Sequence, residues 1–282
     1  MKQETLEPEM LSYAPCRYGA SRVLFRGPRK RLDQPYLAFL GGTETYGKFI
    51  EKPFPALVEK AMRQTCVNFG CVNGGIDAFV NDTTVMDICY NAELTVVQVM
   101  GANFLSNRFF TVHPRRNDRF LQASTVLKAI YHDIDFAEFS FTRHMLGALH
   151  NKSIERFETV VIELREAWMA RMHSLLDQVG ENAVLFWFSE AEPSNVPWSD
   201  LPHQLQVDPL FITKDMIDRL RPLVKDVIIA QPSRDALTRG TNGMIYPISQ
   251  KGAAHEMLGV DCHKEAAAAL IPKIRDQLYT AE

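Results

Sequence analysis

The 282-residue chain lacks the features that mark several large classes of protein. No apolar stretch approaches the roughly 18 residues that a membrane-spanning helix requires, so we expect no membrane span. The formal net charge of −3 lacks the basic excess typical of nucleic-acid binding, and no such partner is expected. The acidic, polar amino terminus has neither the charged nor the apolar segment of a secretory signal, which favours a cytoplasmic protein.

The sequence also has few cysteines and no paired cysteine motif. Its five cysteines are an odd number and lie mostly in apolar runs, which predicts free thiols in a reducing compartment. Cys66 and Cys71 lack a second Cys or His pair at zinc spacing, so no metal site is expected. No glycine pattern typical of phosphate or dinucleotide binding follows a strand, so no cofactor is expected.

Short apolar runs that alternate with helical patterns dominate what is present. Five runs are rich in branched and aromatic residues and are apolar on both faces, which is typical of buried parallel strands. These runs are Tyr36–Leu40, Cys66–Phe69, Leu94–Met100, Ala183–Phe188 and Asp226–Ala230. Helical patterns lie between them, including a long stripe from Ile154 to Val179. The alternation predicts an α/β fold with a doubly wound parallel sheet.

No internal repeat or linker divides the chain. We therefore predict an N-terminal extension over residues 1–35 and a single α/β domain over residues 36–282. A long interruption at 104–151 is predicted to be a helical insertion. Its phenylalanines offer more aromatic area than a solvated excursion needs, so it should cover the site or form a homo-oligomer contact.

Four polar clusters occur at the ends of predicted strands or at the last crossover. They are Gly41–Gly47, Asn68–Gly75, Gly101–Asn103 and Asp261–His263. Since the carboxyl ends of parallel strands share one edge of the sheet, a hydroxyl, an amide and an imidazole can meet there.

As a set, these clusters resemble the four sequence blocks of the SGNH (GDSL-type) hydrolase superfamily. Gly41 to Gly47 fills the frame of the first block, and Asn68-Phe69-Gly70 matches the second. Gly101-Ala102-Asn103 matches the third block, and His263 matches the histidine of the last. The resemblance implies a flavodoxin-like five-stranded sheet in the order 2-1-3-4-5 and a hydrolase acting on an ester.

The chain departs from the superfamily pattern at its reactive positions. Thr43 stands where the family has its serine nucleophile, and Gly42 replaces the aspartate before it. Val260 occupies the usual position of the triad aspartate, which leaves Asp261 or Glu256 to orient the histidine.

The predicted chemistry is transfer of an acyl group through Thr43. His263 would take the proton of the Thr43 hydroxyl, and Asp261 would orient the imidazole. The oxyanion would be stabilised by Asn103 and by the backbone N–H of Gly70 or Gly74, together with that of Thr43. Three basic residues after the third strand are candidates for contact with an anionic substrate: His113, Arg115 and Arg116.

Two functions from different classes therefore stand. The first is a hydrolase or acyl transferase acting on a small-molecule or carbohydrate ester. The alternative is a binding or structural protein whose nucleophile and acid have degenerated, which the residues Gly42 and Thr43 favour. Asn103 and His263 favour the enzyme.

Overall fold

A computed structural model describes residues 11–198, 205 and 207–279. Its centre is a five-stranded sheet formed by β1 (Tyr36–Gly41), β2 (Thr65–Gly70), β3 (Leu94–Gln98), β6 (Ala183–Phe188) and β7 (Asp226–Ala230). The strands lie in the order β2-β1-β3-β6-β7, and every neighbouring pair is parallel. The prediction of a flavodoxin-like α/β sheet with core strands in the order 2-1-3-4-5 is confirmed.

Helices cover both faces of this sheet. The helices that precede β6 in the chain are α1 (Thr43–Tyr46), α2 (Phe54–Met62), α3 (Thr83–Tyr90), α4 (Thr125–Ile130), α5 (Thr142–Lys152) and α6 (Ile154–Val179). The later ones are α7 (Lys214–Leu220), α8 (Arg234–Thr238), α9 (Lys251–His255) and α10 (Val260–Tyr279). Among the described residues, no helix combines the length and the apolar character needed to cross a membrane.

Alternating strand side chains supply the two halves of the core. Leu40 of β1 faces the cluster that contains the buried stripes of α3 and α6, whereas Phe39 faces the cluster that contains α2 and α10. This is the two-sided burial that the continuous apolar strands require. The longest helix, α6, begins where the Ser153 hydroxyl accepts the Arg156 N–H, and it ends at Gly180, whose φ of +79° interrupts the helical ladder.

The prediction of a helical insertion over 104–151 is wrong for its first half. That half is a hairpin of β4 (Phe110–His113) and β5 (Arg116–Ala123), which form an antiparallel two-stranded sheet. Pro114 at the turn cannot continue a helix, and Val112 pairs with Phe120 across the strands. Only α4 and α5 make the second half helical.

Residues before β1 contribute to the core. A bridge between Cys16 and Phe25 folds the segment back on itself, and the Phe25 ring lies 4.9 Å from that of Phe69 in β2. Tyr18 packs against the same ring at 5.3 Å. The side chains of Tyr18 and Phe25 therefore help to fix β2, the strand at one edge of the sheet.

Candidate active site

A small polar cavity lies at the carboxyl edge of the sheet, where β1 and β3 end. It encloses about 40 Å³, which is room for a few water molecules. The lining residues are Gly42, Thr43, Glu44, Gly74, Gln98, Val99, Met100, Gly101, Phe104, Phe188, Asp208 and Pro209. We call this space the polar cavity.

The Gln98 side chain organises one side of the polar cavity. Its Oε1 accepts hydrogen bonds from the N–H of Gly42 at 3.1 Å, from the N–H of Thr45 at 3.2 Å and from the Thr45 hydroxyl at 2.6 Å. Because these donors fix the orientation of the amide, Nε2 must point the other way, where it donates to Glu44 Oε2 at 3.0 Å. The network therefore holds the Glu44 carboxyl at the cavity.

The environment of Glu44 disfavours its charge. Burial raises the pKa of this carboxyl, and the negative charge of Asp208 raises it further. Asp208 is itself neutralised by Arg143, whose Nη2 donates to both carboxylate oxygens at 2.8 Å. A carboxyl whose pKa is raised by burial in a small cavity is a candidate group for acid–base chemistry.

Thr43 begins α1 and is 8% exposed. Its Oγ1 accepts the Asn73 N–H at 2.9 Å and donates to Asn73 Oδ1 at 3.3 Å, which is long for a hydroxyl donor. Asn73 in turn donates from Nδ2 to Asp118 Oδ2 at 3.1 Å. Asn73 adopts the left-handed conformation, with a φ of +54°, and this turn carries its amide to Thr43.

Asn103 lies just behind the polar cavity and is fully buried. Neither its Oδ1 nor its Nδ2 has a hydrogen-bond partner in the described part of the chain. A Cβ on the neighbouring Gly101 would come within 2.5 Å of Asn103 Oδ1, so only glycine lets the amide approach the backbone so closely. An unpaired buried amide is costly, and such groups call for an explanation.

Two of the predicted oxyanion donors are already engaged. The Gly70 N–H donates to Asn68 Oδ1 at 2.8 Å, and the Gly74 N–H donates to the Cys71 carbonyl at 2.9 Å. The Thr43 N–H, in contrast, has no acceptor among the described residues. Of the predicted oxyanion donors, the Thr43 N–H and the Asn103 amide are therefore the ones without a partner among the described residues.

His263 belongs to a different environment. Its ring stacks on Phe54 at 5.8 Å and meets Phe188 edge-on at 5.4 Å. Nδ1 accepts the Phe54 N–H at 3.2 Å, so the proton of the neutral ring is on Nε2. Burial, together with the positive charge of Arg26, lowers the pKa of His263 to about 3. Phe188 lines the polar cavity, but His263 is not among its lining residues.

Neither candidate carboxylate is placed against His263. Asp261 accepts from Arg239 Nη1 at 2.8 Å and from Lys264 Nζ at 2.7 Å, on the outside of α10. Those two cations, with Lys264 contributing most, lower the pKa of the Asp261 carboxyl. Glu256 is exposed and lines another cavity of about 310 Å³, which shares Phe188 and Asp208 with the polar cavity. The structure thus does not assemble a triad of Thr43, His263 and Asp261.

The three basic candidates lie on the β4–β5 hairpin. His113 Nδ1 accepts the Arg115 N–H at 3.2 Å, and Arg116 is half-exposed at 3.7 Å from Asp118. Since Asp118 bonds Asn73, the hairpin reaches Thr43 through two successive side-chain contacts. His113, Arg115 and Arg116 therefore flank the Thr43 side of the site without lining the polar cavity.

The sequence interpretation missed three residues of this arrangement: Glu44, Asn73 and Gln98. Each had a signal. Glu44 follows Thr43 directly, Asn73 lies within the second block, and Gln98 is a polar end to the otherwise apolar strand β3. In the described ranges, no group of three or more His, Cys, Asp or Glu side chains is placed to hold a metal ion.

The chain belongs to the family described as domain of unknown function (DUF6473), whose model matches residues 1–278. A search of curated proteins finds no match. Among solved structures, a carbohydrate esterase family 2 enzyme with a carbohydrate-binding domain, from Corynascus thermopiles (Myceliophthora fergusii), is similar with a TM-score of 0.44 and 9% identity over 89% of this chain and 69% of its own. A lipase from a goat rumen metagenome gives a TM-score of 0.39 and 12% identity, covering 84% and 96%.

Proposed function

We propose that the protein is a hydrolase or acyl transferase that acts on an ester in the polar cavity, with Thr43 as the nucleophile. The observation that carries the proposal is the placement of the Glu44 carboxyl in the same 40 Å³ space as Thr43. In such a small cavity, one bound group lies within reach of both side chains. Glu44 therefore takes the role of base that the sequence pattern gives to His263.

The first half-reaction forms an acyl-enzyme. Glu44 takes the Thr43 proton as Oγ1 attacks the ester carbonyl carbon, which requires the long bond to Asn73 Oδ1 to break. The bond from the Asn73 N–H to Oγ1 stabilises negative charge on that oxygen. The tetrahedral oxyanion accepts from the Thr43 N–H and, in this proposal, from Asn103 Nδ2.

Collapse of this intermediate completes the acyl transfer. The bond to the alcohol oxygen breaks, and the leaving alcohol takes the proton back from Glu44. Water or a second alcohol then loses a proton to Glu44 and attacks the acyl carbon. The bond between that carbon and Thr43 Oγ1 breaks, and Oγ1 takes the proton from Glu44, which restores the hydroxyl.

The environment of His263 favours a second candidate, a binding protein with a disarmed site. A histidine that keeps its proton on Nε2 and accepts a backbone N–H cannot receive the Thr43 proton in the manner of a triad. If Glu44 does not act as a base either, Thr43 is unactivated and the polar cavity only binds.

Release of 4-nitrophenol from 4-nitrophenyl acetate distinguishes the two. We expect Thr43→Ser to keep or raise kcat, because it retains the hydroxyl and removes the crowding methyl group. Thr43→Val and Glu44→Gln should each lower kcat by about 100-fold to 10,000-fold, the range of acid–base catalysis. Thr125→Val and Glu155→Gln make the same chemical changes at exposed positions and should behave as wild type.

Three results bear against the proposed reaction. Equally slow turnover by wild type and Thr43→Val, with activity gained only in Thr43→Ser, would identify a disarmed relative that binds. Loss of activity in Glu44→Gln without loss in Thr43→Val would exclude Thr43 as the nucleophile. Absence of an acyl adduct on Thr43 in intact-mass and peptide spectra of rapidly quenched enzyme would also contradict the covalent route.

A further inference from the structure

A second cavity adjoins the polar cavity and is lined mainly by aromatic and aliphatic groups. It encloses about 150 Å³. Trp187, Trp198, Leu210, Phe211 and Ile212 provide its apolar lining. We call it the aromatic cavity.

The two cavities share Asp208 and Pro209, which line both. The loop that carries these residues is tied to the site, because the Ala102 N–H donates to the Leu210 carbonyl at 3.0 Å. A Cβ on Gly101 would lie 2.9 Å from Leu210 N, so the glycine permits this close docking. A molecule held in the polar cavity therefore lies beside the same two residues, Asp208 and Pro209, that line the aromatic cavity.

The aromatic lining is rigidly held. The Trp198 ring meets Phe157 at 5.1 Å and Phe211 at 6.0 Å, both edge-on. Phe211 adopts a φ of +66°, a conformation that costs free energy for a residue with a side chain. This strained residue lies where its ring completes the lining of the aromatic cavity.

Several of the polar groups around the aromatic cavity are already engaged within the protein. Trp187 Nε1 donates to the Ala191 carbonyl at 2.7 Å, and Arg165 Nε donates to the Phe211 carbonyl at 2.9 Å. The Ser194 and Thr213 hydroxyls accept backbone N–H groups of Val196 and Met216. Because apolar side chains outnumber polar ones in the lining, the cavity favours an apolar group.

We propose that the aromatic cavity binds the acyl chain or aromatic ring of the ester substrate, an inference that rests on the function proposed above for the polar cavity. A cavity of about 150 Å³ lined by apolar side chains is large enough to bind benzene. The substrate class is therefore an ester whose acyl part is a chain of about six carbons or a single ring, positioned with its carbonyl beside Asp208 and Thr43.

Binding is tested without turnover by titrating the full chain, labelled with ¹⁵N, with toluene. The described residues include three tryptophans, and each indole N–H gives its own NMR signal. We expect saturable shifts for Trp187 and Trp198 and none for Trp168, which donates to the Met100 carbonyl and does not line the aromatic cavity. The absence of saturable shifts, or an equal shift of Trp168, would overturn the inference.

A matched pair of variants locates the binding. Val196 lines the aromatic cavity and is 46% exposed, whereas Val126 on α4 is 51% exposed and lies outside it. Val196→Phe adds bulk at the mouth without burying a strained side chain, and we expect it to weaken toluene binding at least tenfold. Val126→Phe should leave binding unchanged. Equal effects of the two variants would contradict the assignment.

Turnover separates this inference from the proposed function. Each methylene that enters an apolar site raises kcat/KM about fourfold. If three of the additional methylenes of 4-nitrophenyl hexanoate enter the aromatic cavity, its kcat/KM should exceed that of the acetate about 60-fold. Toluene binding at Trp187 and Trp198 with no turnover of any ester would sustain the site and remove the proposed reaction. Turnover with no toluene binding and no preference for hexanoate would keep the reaction and remove the site.

Discussion

The polar cavity and the aromatic surroundings of His263 lie on either side of Phe188. The two regions differ in whether their buried polar groups have hydrogen-bond partners among the described residues. Around His263, two aromatic rings and the Phe54 N–H satisfy the imidazole and hold it neutral. Beside the polar cavity, the Asn103 amide and the Thr43 N–H have no partner in the described part of the chain. Unpaired donors lower the stability of the fold. We therefore expect function at the polar cavity, where such donors are present.

The sharpest way to break this comparison is to remove the Asn103 amide. Asn103→Leu keeps the size of the side chain and replaces its polar atoms. If Asn103 donates to the oxyanion, kcat should fall about 100-fold to 1,000-fold, as for other donors of this kind. Because neither amide atom is paired, the free energy of unfolding should rise by about 1 kcal/mol.

Opposite signs in the two measurements are the diagnostic result. Asn151 is exposed near the end of α5, and Asn151→Leu should change neither kcat nor the unfolding free energy by a comparable amount. A loss of stability in Asn103→Leu with unchanged kcat would instead assign the amide to the core and remove the distinction between the two regions.

The second prediction concerns His263 and acid. The His263 pKa is about 3 in the folded chain, against about 6.5 when unfolded, so the unfolded state binds the proton more tightly. The contribution of His263 to stability is therefore complete above pH 6.5 and is lost as the pH falls towards 3. The expected slope approaches about 1.4 kcal/mol per pH unit below 6.

Urea unfolding between pH 7.5 and 5 measures that slope. His263→Asn supplies an acceptor oxygen near the position of Nδ1 but does not titrate, so its slope should be shallower by nearly one proton. His132→Asn changes an exposed histidine and should retain the wild-type slope. Identical slopes for wild type and His263→Asn would mean that His263 titrates normally, and its enclosure would then not differ from the polar cavity.

Glu44 should show the opposite pH dependence. Its folded pKa is raised, so the folded state binds the proton more tightly than the unfolded state. Its contribution to stability is complete below the ordinary carboxyl pKa and is lost as the pH rises through the raised value. Glu44→Gln should therefore stabilise the protein relative to wild type more at pH 8 than at pH 4.

The same unfolding series checks this expectation, with Glu155→Gln as the exposed control. A constant difference between wild type and Glu44→Gln across the pH range would show that Glu44 titrates alike in both states. That result would contradict the proposal that burial prepares this carboxyl as a base.

These contrasts also explain what could be predicted from the sequence. The core strands were predictable from apolar runs such as Tyr36–Leu40, because burial on both faces leaves a local pattern, and their order was implied by the resemblance to the SGNH superfamily. The environment of His263 left no local pattern in the sequence, because its partners Phe54 and Phe188 are distant along the chain. Only packing of α2 against α10 brings them together. The same applies to Glu44, whose direction depends on three donors fixing the Gln98 amide.

The β4–β5 hairpin was missed for a related reason. Its fourteen-residue span, 110–123, has few consecutive apolar residues, and its alternation is disturbed by register shifts at Thr111, Val112 and His113. Cross-strand contacts such as the Phe110 and Phe120 rings at 6.2 Å stabilise it. Such pairing across a turn carries little periodicity along either strand.

The smallest expected effect is that of Asp261→Asn, which tests the remaining element of the triad pattern. Among the described residues, Asp261 pairs with Arg239 and Lys264 at the surface, and pairs of this kind contribute little in water and are screened by salt. We expect kcat for 4-nitrophenyl acetate and the urea midpoint at pH 7 to match wild type within error.

Asp118→Asn is the informative contrast, because Asp118 is buried and accepts from the Asn73 amide that positions Thr43. It should raise KM or lower kcat measurably without unfolding the chain. If Asp261→Asn instead lowered kcat as strongly as Thr43→Val, a carboxylate and histidine would operate together after all. His263 would then have to leave its aromatic enclosure during the reaction, and the contrast between the two regions would not describe the working protein.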